Sequence, residues 1–297
     1  MSLIIKELMQ IGESALKKAG CMDAKIDAEL LMQFLLSLNK QQLFIKSSSL
    51  LDEKSCEEYF KLIDLRSMGK PVQYITGEQE FMGIPFKVNE DVLIPRQDTE
   101  TLVEEVINEV KSLVSQKKIP GGWFQILDLC CGSGAIGISL CKYLTNVKVT
   151  ATDISSKAIL IAKENAENAG VSKSIRFVES DLFSSLRKGL GTTKFHIIVS
   201  NPPYIESDVI PTLQREIREY EPMIALDGGK DGLDYYRRII AESPAFLKPN
   251  GMLFLEIGYN QGTAVCSLLE ESGRFNNIEV IKDLSGHERV VKCIKTS

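Results

Sequence analysis

Two kinds of hydrophobic spacing divide this chain. Up to about residue 70 the apolar residues recur every three or four positions, which is the period of amphipathic helices. From residue 124 onward short apolar runs alternate with helical stretches, and this alternation predicts a parallel sheet with helices on both faces. The expected strands are 125–129, 147–152, 175–179, 195–200, 251–257, 277–282 and 288–294, and the expected helices lie near 135–144, 156–169, 234–246 and 261–272.

The last two predicted strands are joined by only a few residues, 283–287. A parallel crossover needs a dozen residues or more, so we expect this pair to be antiparallel. A parallel sheet that ends in an antiparallel pair is unusual, so only a few α/β fold classes fit this sequence.

The first part of the chain predicts a small helical module. Two apolar stripes are expected to be its buried faces: Leu3, Ile4, Leu8, Ile11 and Ala15, then Leu30, Leu31, Phe34, Leu35 and Leu38. Asp52 is placed to cap a further helix, which would bury Cys56, Tyr59, Phe60 and Ile63. No catalytic constellation is apparent in this module, so it is expected to serve recognition.

A linker is expected between the helical module and the sheet. Tyr74–Gly77 and Phe81–Val88 suggest a hairpin that turns near Gly83, and Asp98 or Thr99 can cap the helix that follows. We therefore predict three regions: a helical substrate-docking domain at 1–70, a hairpin linker at 71–98 and an α/β domain at 99–297.

Composition excludes several classes of protein. The net charge of −5 argues against a protein whose main task is to grip a nucleic acid backbone. No apolar run approaches the length of a membrane span, and the first residues carry no basic leader pattern, so we expect a cytoplasmic protein. With two histidines, and seven cysteines that form no Cys-x-x-Cys pair, no metal site is expected.

A glycine pattern opens the helix after the first predicted strand of the sheet. Gly132, Gly134 and Gly137 satisfy G-x-G-x-x-G, and Asp153 ends the second strand, where a carboxylate can accept hydrogen bonds from ribose hydroxyls. This pattern alone also fits a dinucleotide site. The structural alternative is a tight strand-to-helix turn without a ligand.

Two further carboxylates favour S-adenosylmethionine over NAD. Asp128 lies in the approach to the glycine loop, where its charge would repel a pyrophosphate but suit a sulfonium and an ammonium group. Asp181 follows the third strand and can accept a hydrogen bond from the adenine amino group. Asp128, Asp153 and Asp181 are all expected at the carboxyl ends of successive strands, where an open α/β sheet binds its ligand.

The sequence Asn201-Pro202-Pro203-Tyr204 ends the strand predicted at 195–200. Neither proline can donate to a sheet ladder, so the chain must leave the sheet as a stiff loop. The backbone carbonyls of this loop and the Asn201 amide oxygen are acceptors suited to an –NH2 group. The simpler interpretation is a proline-rich turn capped by an asparagine.

Taken together, these residues resemble the class I S-adenosylmethionine methyltransferases and, more closely, the HemK/PrmC family of protein-glutamine methyltransferases that modify peptide chain release factors. The resemblance covers nearly the whole chain. Besides Asn201–Tyr204, it is carried by Pro71–Gly77, Val92–Arg96, Asp98–Glu100, Glu221–Pro222, Ala225–Leu226, Gly228–Gly229, Asp231–Leu233, Tyr236–Arg237, Leu255–Gly258 and Gly286–Val291. Gln97 and Cys131 depart from the family pattern.

The resemblance implies a seven-stranded Rossmann-like sheet with an antiparallel terminal strand, and S-adenosyl-L-methionine as cofactor. It implies as substrate the glutamine of the Gly-Gly-Gln motif of a class-1 release factor, methylated on its side-chain amide nitrogen. Asn201, Pro202 and Tyr204 are the expected catalytic residues, and these three with Pro203 bind the substrate. Cofactor contacts are expected from Asp128, Cys130, Gly132, Gly134, Asp153, Ile154, Asp181, Leu182 and Asn201.

Two other functions stay open at this stage. A nucleic-acid adenine or guanine amino-methyltransferase shares the Asn-Pro-Pro-Tyr motif, but it predicts a basic groove or an added base-recognition domain. A non-catalytic binding module that retains only the cofactor fold is the third possibility. The expected partner is therefore a release factor, with no stable nucleic acid binding and no membrane, and the expected state is a monomer.

Overall fold

The computed structural model describes residues 3–115, 123–189 and 194–296. The chain divides into two compact units, Met1–Glu78 with Leu213–Tyr220, and Gln79–Thr212 with Glu221–Ser297. This boundary differs from the predicted one at residue 70, and the return of the chain to the first unit at Leu213 was not predicted at all. Within the described ranges, no helix is long and apolar enough to cross a bilayer.

Helices and strands are numbered in chain order. The helices are α1 (Ile5–Lys18), α2 (Ala24–Leu36), α3 (Lys40–Ile45), α4 (Glu53–Ser67), α5 (Val72–Thr76), α6 (Asp98–Ser115), α7 (Ala135–Tyr143), α8 (Ser156–Asn168), α9 (Ser184–Gly189), α10 (Arg215–Tyr220), α11 (Asp234–Glu242) and α12 (Gly262–Ser272). The strands are β1 (Glu78–Phe81), β2 (Ile84–Lys87), β3 (Phe124–Leu129), β4 (Val147–Asp153), β5 (Ile175–Glu179), β6 (Phe195–Ser200), β7 (Leu247–Glu256), β8 (Phe275–Lys282) and β9 (Glu288–Lys295).

The helical unit buries only part of the apolar surface predicted for it. Asp52 does cap α4, since its Oδ1 accepts the Ser55 N–H at 2.7 Å. However, Ile11 and Phe34 are 44% and 47% exposed, so the two predicted stripes are partly wrong. In α2 apolar side chains lie on more than one face, so periodicity cannot choose between them. In α1 the buried face is centred on Ile5, Leu8, Gly12 and Leu16, and Ile11 lies at its edge. The buried apolar positions of these helices are Ile5, Leu8, Leu16, Ala24, Ala28, Leu31 and Met32.

A buried ion-pair group joins three helices of this unit. Arg66 in α4 lies 2.6 Å from Asp27 in α2 and 2.6 Å from Glu216 in α10. Arg66 also donates to the Lys70 carbonyl oxygen at 3.3 Å. The side chains of Arg66 and Asp27 are only 8% and 6% exposed, so these charges depend on each other for the solvation that water would supply.

The hairpin that begins the second unit turns where the sequence predicts. β1 and β2 pair as a two-stranded sheet, and Met82 and Gly83 between them have φ values of 52° and 66°, as a tight hairpin turn requires. The expectation that Tyr74–Gly77 is extended was wrong, because this stretch forms the one-turn helix α5. A helix of five residues is too short to show a helical period.

The main sheet has seven strands in the order β5-β4-β3-β6-β7-β9-β8. The pairs from β5 through β7 are parallel, and β9 runs antiparallel to both of its neighbours. All seven strands and the antiparallel final pair were therefore predicted correctly.

The order of the strands reverses between β3 and β6. The chain proceeds from β3 outward through β4 to β5, then returns to place β6 on the other side of β3. These two strands end together, with Leu129 of β3 paired to Ser200 of β6. Because ligands of open α/β sheets bind where the strand order reverses, the glycine loop after β3 and the Asn201 loop after β6 meet at the expected binding edge.

Candidate active site

The glycine loop contains two glycines with different surroundings: Gly132 faces open space and Gly137 is closely packed. Gly132 has φ +52°, and a Cβ added there would meet no atom within 4 Å, so its backbone is accessible from the cleft. At Gly137, in α7, a Cβ would lie 2.9 Å from Asp128 Oδ2 and about as close to two core side chains. Glycine is thus needed at Gly132 for the backbone conformation and at Gly137 for close packing of helix against sheet.

Asp153 holds the glycine loop from the end of β4. Its Oδ2 accepts the Gly132 N–H at 2.8 Å and its Oδ1 accepts the Ser155 N–H at 2.9 Å. Burial raises the pKa of Asp153, and these two backbone N–H groups oppose the shift. A carboxylate oxygen has two lone pairs, so both oxygens retain an acceptor site for hydroxyl groups in the cleft.

Asp128 lies behind the loop rather than in the cleft. It is fully buried in β3, its Oδ2 accepts the Gly137 N–H at 2.9 Å, and its Oδ1 has no partner among the described residues. Burial raises the pKa of Asp128 to about 8, with the Gly137 N–H acting in the opposite direction. Its observed contact is structural, so the expected contact with the cofactor stays a prediction.

A cleft opens above these loops. Its described lining contains three aspartates and no lysine, arginine or histidine. A pyrophosphate would be repelled here, whereas a ligand that carries a sulfonium and an ammonium suits the lining. The cleft is lined by Asp91, Val92, Leu93, Cys130, Gly132, Asp153, Ile154, Ser155, Ala158, Ser180, Asp181, Leu182, Asn201, Pro203, Pro222, Ile224, Ala225 and Tyr235.

Most of the predicted cofactor residues therefore border this cleft, among them Cys130, Ile154 and Leu182. Gly134 does not, and it serves instead as the residue that precedes α7. Asp181 is half exposed and accepts two hydrogen bonds from Arg238, at 2.7 and 2.8 Å. This ion pair leaves further lone pairs on Asp181, so its predicted contact with an adenine amino group is compatible with the structure.

Asn201 borders both this cleft and a smaller cavity next to it. The smaller cavity is lined in part by Pro95, Thr99 and Ala135. The Asn201 Nδ2 donates to the Thr99 hydroxyl oxygen at 3.2 Å. The –NH2 group of Asn201 is thus hydrogen-bonded within the protein, whereas its oxygen Oδ1 can accept a hydrogen bond from a bound molecule.

Tyr204 does not line the cleft, contrary to the expectation that it would wall the pocket. Its ring packs against the hydrophobic core, and its hydroxyl donates to Glu256 Oε1 at 3.4 Å. Its carbonyl oxygen accepts from Gln261 Nε2 at 2.9 Å, which fixes the exit of the Pro-Pro loop. Tyr235 lines the cleft instead.

Three residues of the site were missed by the sequence reasoning: Tyr235, Thr99 and Glu256. Tyr235 lies beside a stretch that carried the family resemblance, and Thr99 and Glu256 lie within two others, Asp98–Glu100 and Leu255–Gly258. The resemblance was therefore an available signal. The residue types alone gave none, because a threonine near a helix start is ordinary.

We expect Asp153→Ala to weaken binding of S-adenosylmethionine by roughly 1–3 kcal/mol, since bound hydroxyls lose a charged acceptor and the Gly132 N–H loses its partner. Titration calorimetry measures this. Glu179→Ala is the matched control, because Glu179 is the register partner of Asp153 on β5, is exposed and lies outside the cleft lining. Equal affinities in the two variants would remove Asp153 from the cofactor site.

The strand order, the glycine loop and the cleft lined by carboxylates define a class I S-adenosylmethionine-dependent methyltransferase. Comparison with known proteins agrees. Residues 7–77 match the PrmC N-terminal domain, and residues 105–219 match the methyltransferase small domain. The catalytic domain of hMettl16, solved in complex with the MAT2A 3'UTR hairpin 6, has a similar fold, with a TM-score of 0.53 and 16% identity over 84% of each chain.

Two bacterial relatives match almost from end to end. The release factor glutamine methyltransferase of Clostridium botulinum is 41% identical over 295 residues, which is 99% of this chain and 100% of that protein. The protein of the same name from Clostridium acetobutylicum is 39% identical over 98% of each chain. The chain belongs to the release factor glutamine methyltransferase family.

Proposed function

We propose that the protein transfers a methyl group from S-adenosyl-L-methionine to the side-chain amide nitrogen of the glutamine in the Gly-Gly-Gln motif of class-1 release factors. The observation that carries this proposal is the orientation of Asn201. Its amide group donates to Thr99 and turns its oxygen toward other groups. An acceptor is the group needed to bind an –NH2, and full-length membership of the family supports the choice of substrate.

Asn201 and Pro202 supply the two hydrogen-bond acceptors that an amide substrate requires. An amide nitrogen is a weak nucleophile, because its lone pair is delocalised into the carbonyl group. If Asn201 Oδ1 and the Pro202 carbonyl oxygen each accept one N–H, the nitrogen gains electron density and is turned toward the methyl donor. Both hydrogen bonds strengthen as positive charge develops on the nitrogen, so they favour the transition state over the ground state.

The residues that would hold the cofactor follow from the cleft. Asp153 would accept ribose hydroxyls, Asp181 the adenine amino group, and Ile154, Leu182 and Tyr235 would cover the adenine with apolar and aromatic surface. When bound, S-adenosylmethionine supplies an electrophilic methyl group. Directly after the transfer the methylated nitrogen still carries both of its protons and a positive charge, and this cation is acidic enough to lose one proton to water, so no strong general base is required.

The helical unit is proposed to dock the release factor. It exposes large apolar side chains on and beside α3, where Phe44 and Ile45 are 81% and 80% exposed. Exposed apolar surface of this kind is typical of protein contact sites. We further propose that the protein acts as a monomer in the cytoplasm, without stable binding to nucleic acid.

Methyl transfer to a purified release factor tests the proposal. We expect labelled cofactor to methylate the whole factor on its Gly-Gly-Gln glutamine, and a factor with that glutamine replaced by glutamate to stay unlabelled. A short loop peptide should react with a higher KM than the whole factor if the helical unit docks it. Mass spectrometry locates the label, and label in RNA or DNA instead would favour a nucleic-acid amino-methyltransferase.

A further inference from the structure

One buried side chain joins two parts of the cleft wall that are far apart in the sequence. Asn165 in α8 is 1% exposed and lies outside the described lining of the cleft. Its Oδ1 accepts the Lys87 N–H at 2.7 Å, and its Nδ2 donates to the Lys87 carbonyl oxygen at 3.0 Å. The same Nδ2 donates to the carbonyl oxygen of Ser133, in the glycine loop, at 3.0 Å. Both N–H groups of the amide and its oxygen therefore have partners.

The contact with Lys87 takes the place of a third strand beside the hairpin. Lys87 ends β2, which pairs with β1 in a two-stranded sheet. A hairpin of two strands is at best marginally stable by itself. By binding both the N–H and the carbonyl group of one residue, Asn165 makes the pair of hydrogen bonds that a neighbouring antiparallel strand would make. The segment Asp91–Leu93 lines the cleft shortly after β2 ends, so its position depends on where β2 is held.

The contact with Ser133 acts on the glycine loop. Gly132 and Gly134, on either side of Ser133, have φ values of +52° and +83°. Glycine adopts positive and negative φ about equally readily, so this backbone has other conformations open to it. The hydrogen bond from Asn165 fixes the direction of the Ser133 carbonyl group, and Asp153 fixes the Gly132 N–H at 2.8 Å. The loop is thus held from α8 as well as from the end of β4.

We propose that Asn165 is a positioning residue for the cofactor: it holds the glycine loop and the segment Asp91–Leu93 in the arrangement that S-adenosylmethionine requires, without touching the cofactor itself. Gly132 and Asp91–Leu93 border the same cleft, so a ligand that fills the cleft contacts both. Without a link between them, binding would have to order each part separately, at a cost in free energy. The Asn165 amide sets the arrangement in advance. The inference concerns the cofactor alone and does not depend on which nitrogen is methylated.

Two substitutions of Asn165 and one control test the proposal by titration calorimetry with S-adenosylmethionine. Asn165→Ala removes all three hydrogen bonds and should raise the dissociation constant about tenfold, the net effect of about one hydrogen bond. Asn165→Asp keeps the size of the side chain and an acceptor for the Lys87 N–H, but it loses the –NH2 group and should raise the constant at least as much. Glu164→Ala is the control and should bind as the wild type does, because Glu164 is the next residue of α8 and pairs with the Lys87 ammonium group at the surface.

The stoichiometry of the titration separates positioning from a general loss of structure. A variant that folds incompletely binds with the wild-type dissociation constant at a reduced number of sites, whereas a misplaced cleft wall keeps one site per chain with a higher constant. We expect the second result for Asn165→Ala and Asn165→Asp. A wild-type dissociation constant in both variants would overturn the proposal at any stoichiometry, as would an equal loss of affinity in Glu164→Ala.

Amide hydrogen exchange in the wild type tests the same link without any substitution. The Lys87 N–H donates to Asn165, and Lys87 lies outside the described lining of the cleft. Because coupling between two sites is reciprocal, saturating S-adenosylmethionine should slow exchange at Lys87 in the wild type and should not slow it in Asn165→Ala. Exchange at the Gly134 N–H, which donates to the Cys131 carbonyl oxygen at 2.8 Å, should slow together with it. Unchanged exchange at Lys87 on cofactor binding would overturn the proposal, even where the Asn165 variants fail to fold.

Discussion

Asn201→Ala is expected to reduce turnover on a release factor by about 10²–10³, the usual effect of removing one preorganised hydrogen-bonding group from a reaction pocket. The loss has a specific cause, because Oδ1 is the acceptor that the Thr99 contact turns away from the protein. The backbone carbonyls of the Pro-Pro loop remain, so some activity should persist. Cofactor affinity should change little, since the proposed acceptors for the ribose and the adenine are Asp153 and Asp181.

Asn201→Asp is the sharper comparison. It keeps an acceptor oxygen but lacks the –NH2 that donates to Thr99, and it adds a negative charge close to the expected sulfonium. We expect activity between that of Asn201→Ala and the wild type. Steady-state kinetics on the purified factor, with calorimetry for the cofactor, measure both variants. Full turnover in Asn201→Ala at normal cofactor affinity would show that the loop carbonyls alone orient the glutamine.

Arg66→Ala is expected to lower the free energy of unfolding of the helical unit by about 3–5 kcal/mol, because it strands a buried carboxylate without its partner. Arg66 contacts Asp27 and Glu216 at 2.6 Å each, so α2, α4 and α10 all lose a contact. Urea denaturation followed by circular dichroism measures the loss, and hydrogen exchange at the amides of α1–α4 locates it.

Two further variants serve as controls for the Arg66→Ala result. Lys54→Ala removes the exposed pair with Glu58, whose side chains are 85% and 46% exposed, and should have little effect. Arg66→Met combined with Asp27→Leu removes both buried charges and should recover much of the lost stability. A loss in Arg66→Ala no larger than that in Lys54→Ala would mean that the ion-pair group contributes nothing measurable.

The sheet and the cleft were predictable from local pattern, whereas contacts across long sequence distances were not. The strands at the centre of the sheet, such as β3 and β6, are short and largely apolar and are followed by a polar or glycine-rich turn, so their positions and the residues at their ends could be located. Asp153, Asp181 and Asn201 all follow from that rule. The antiparallel final pair followed from the length of one connection.

What escaped prediction depends on tertiary packing. Tyr204 and Asn201 are three residues apart, yet only the structure shows that one points into the core and the other borders the cleft. Thr99 reaches the Asn201 side chain, 102 residues further along the chain, only because α6 begins beside the loop that follows β6. The buried face of α2 was ambiguous because its apolar residues surround more of the helix than one packing surface can cover.

The return of Leu213–Tyr220 to the first unit bears on how the chain folds as it is synthesised. Domains usually form in order as they leave the ribosome. Here the first unit stays incomplete until residue 220 has been made, because Glu216 is one of the two carboxylates paired with Arg66. By then β3, β4, β5 and β6 have all been translated. The two units therefore cannot mature one after the other, and a nascent chain stopped before Leu213 should have a helical unit that is more easily digested by protease than that of the finished protein.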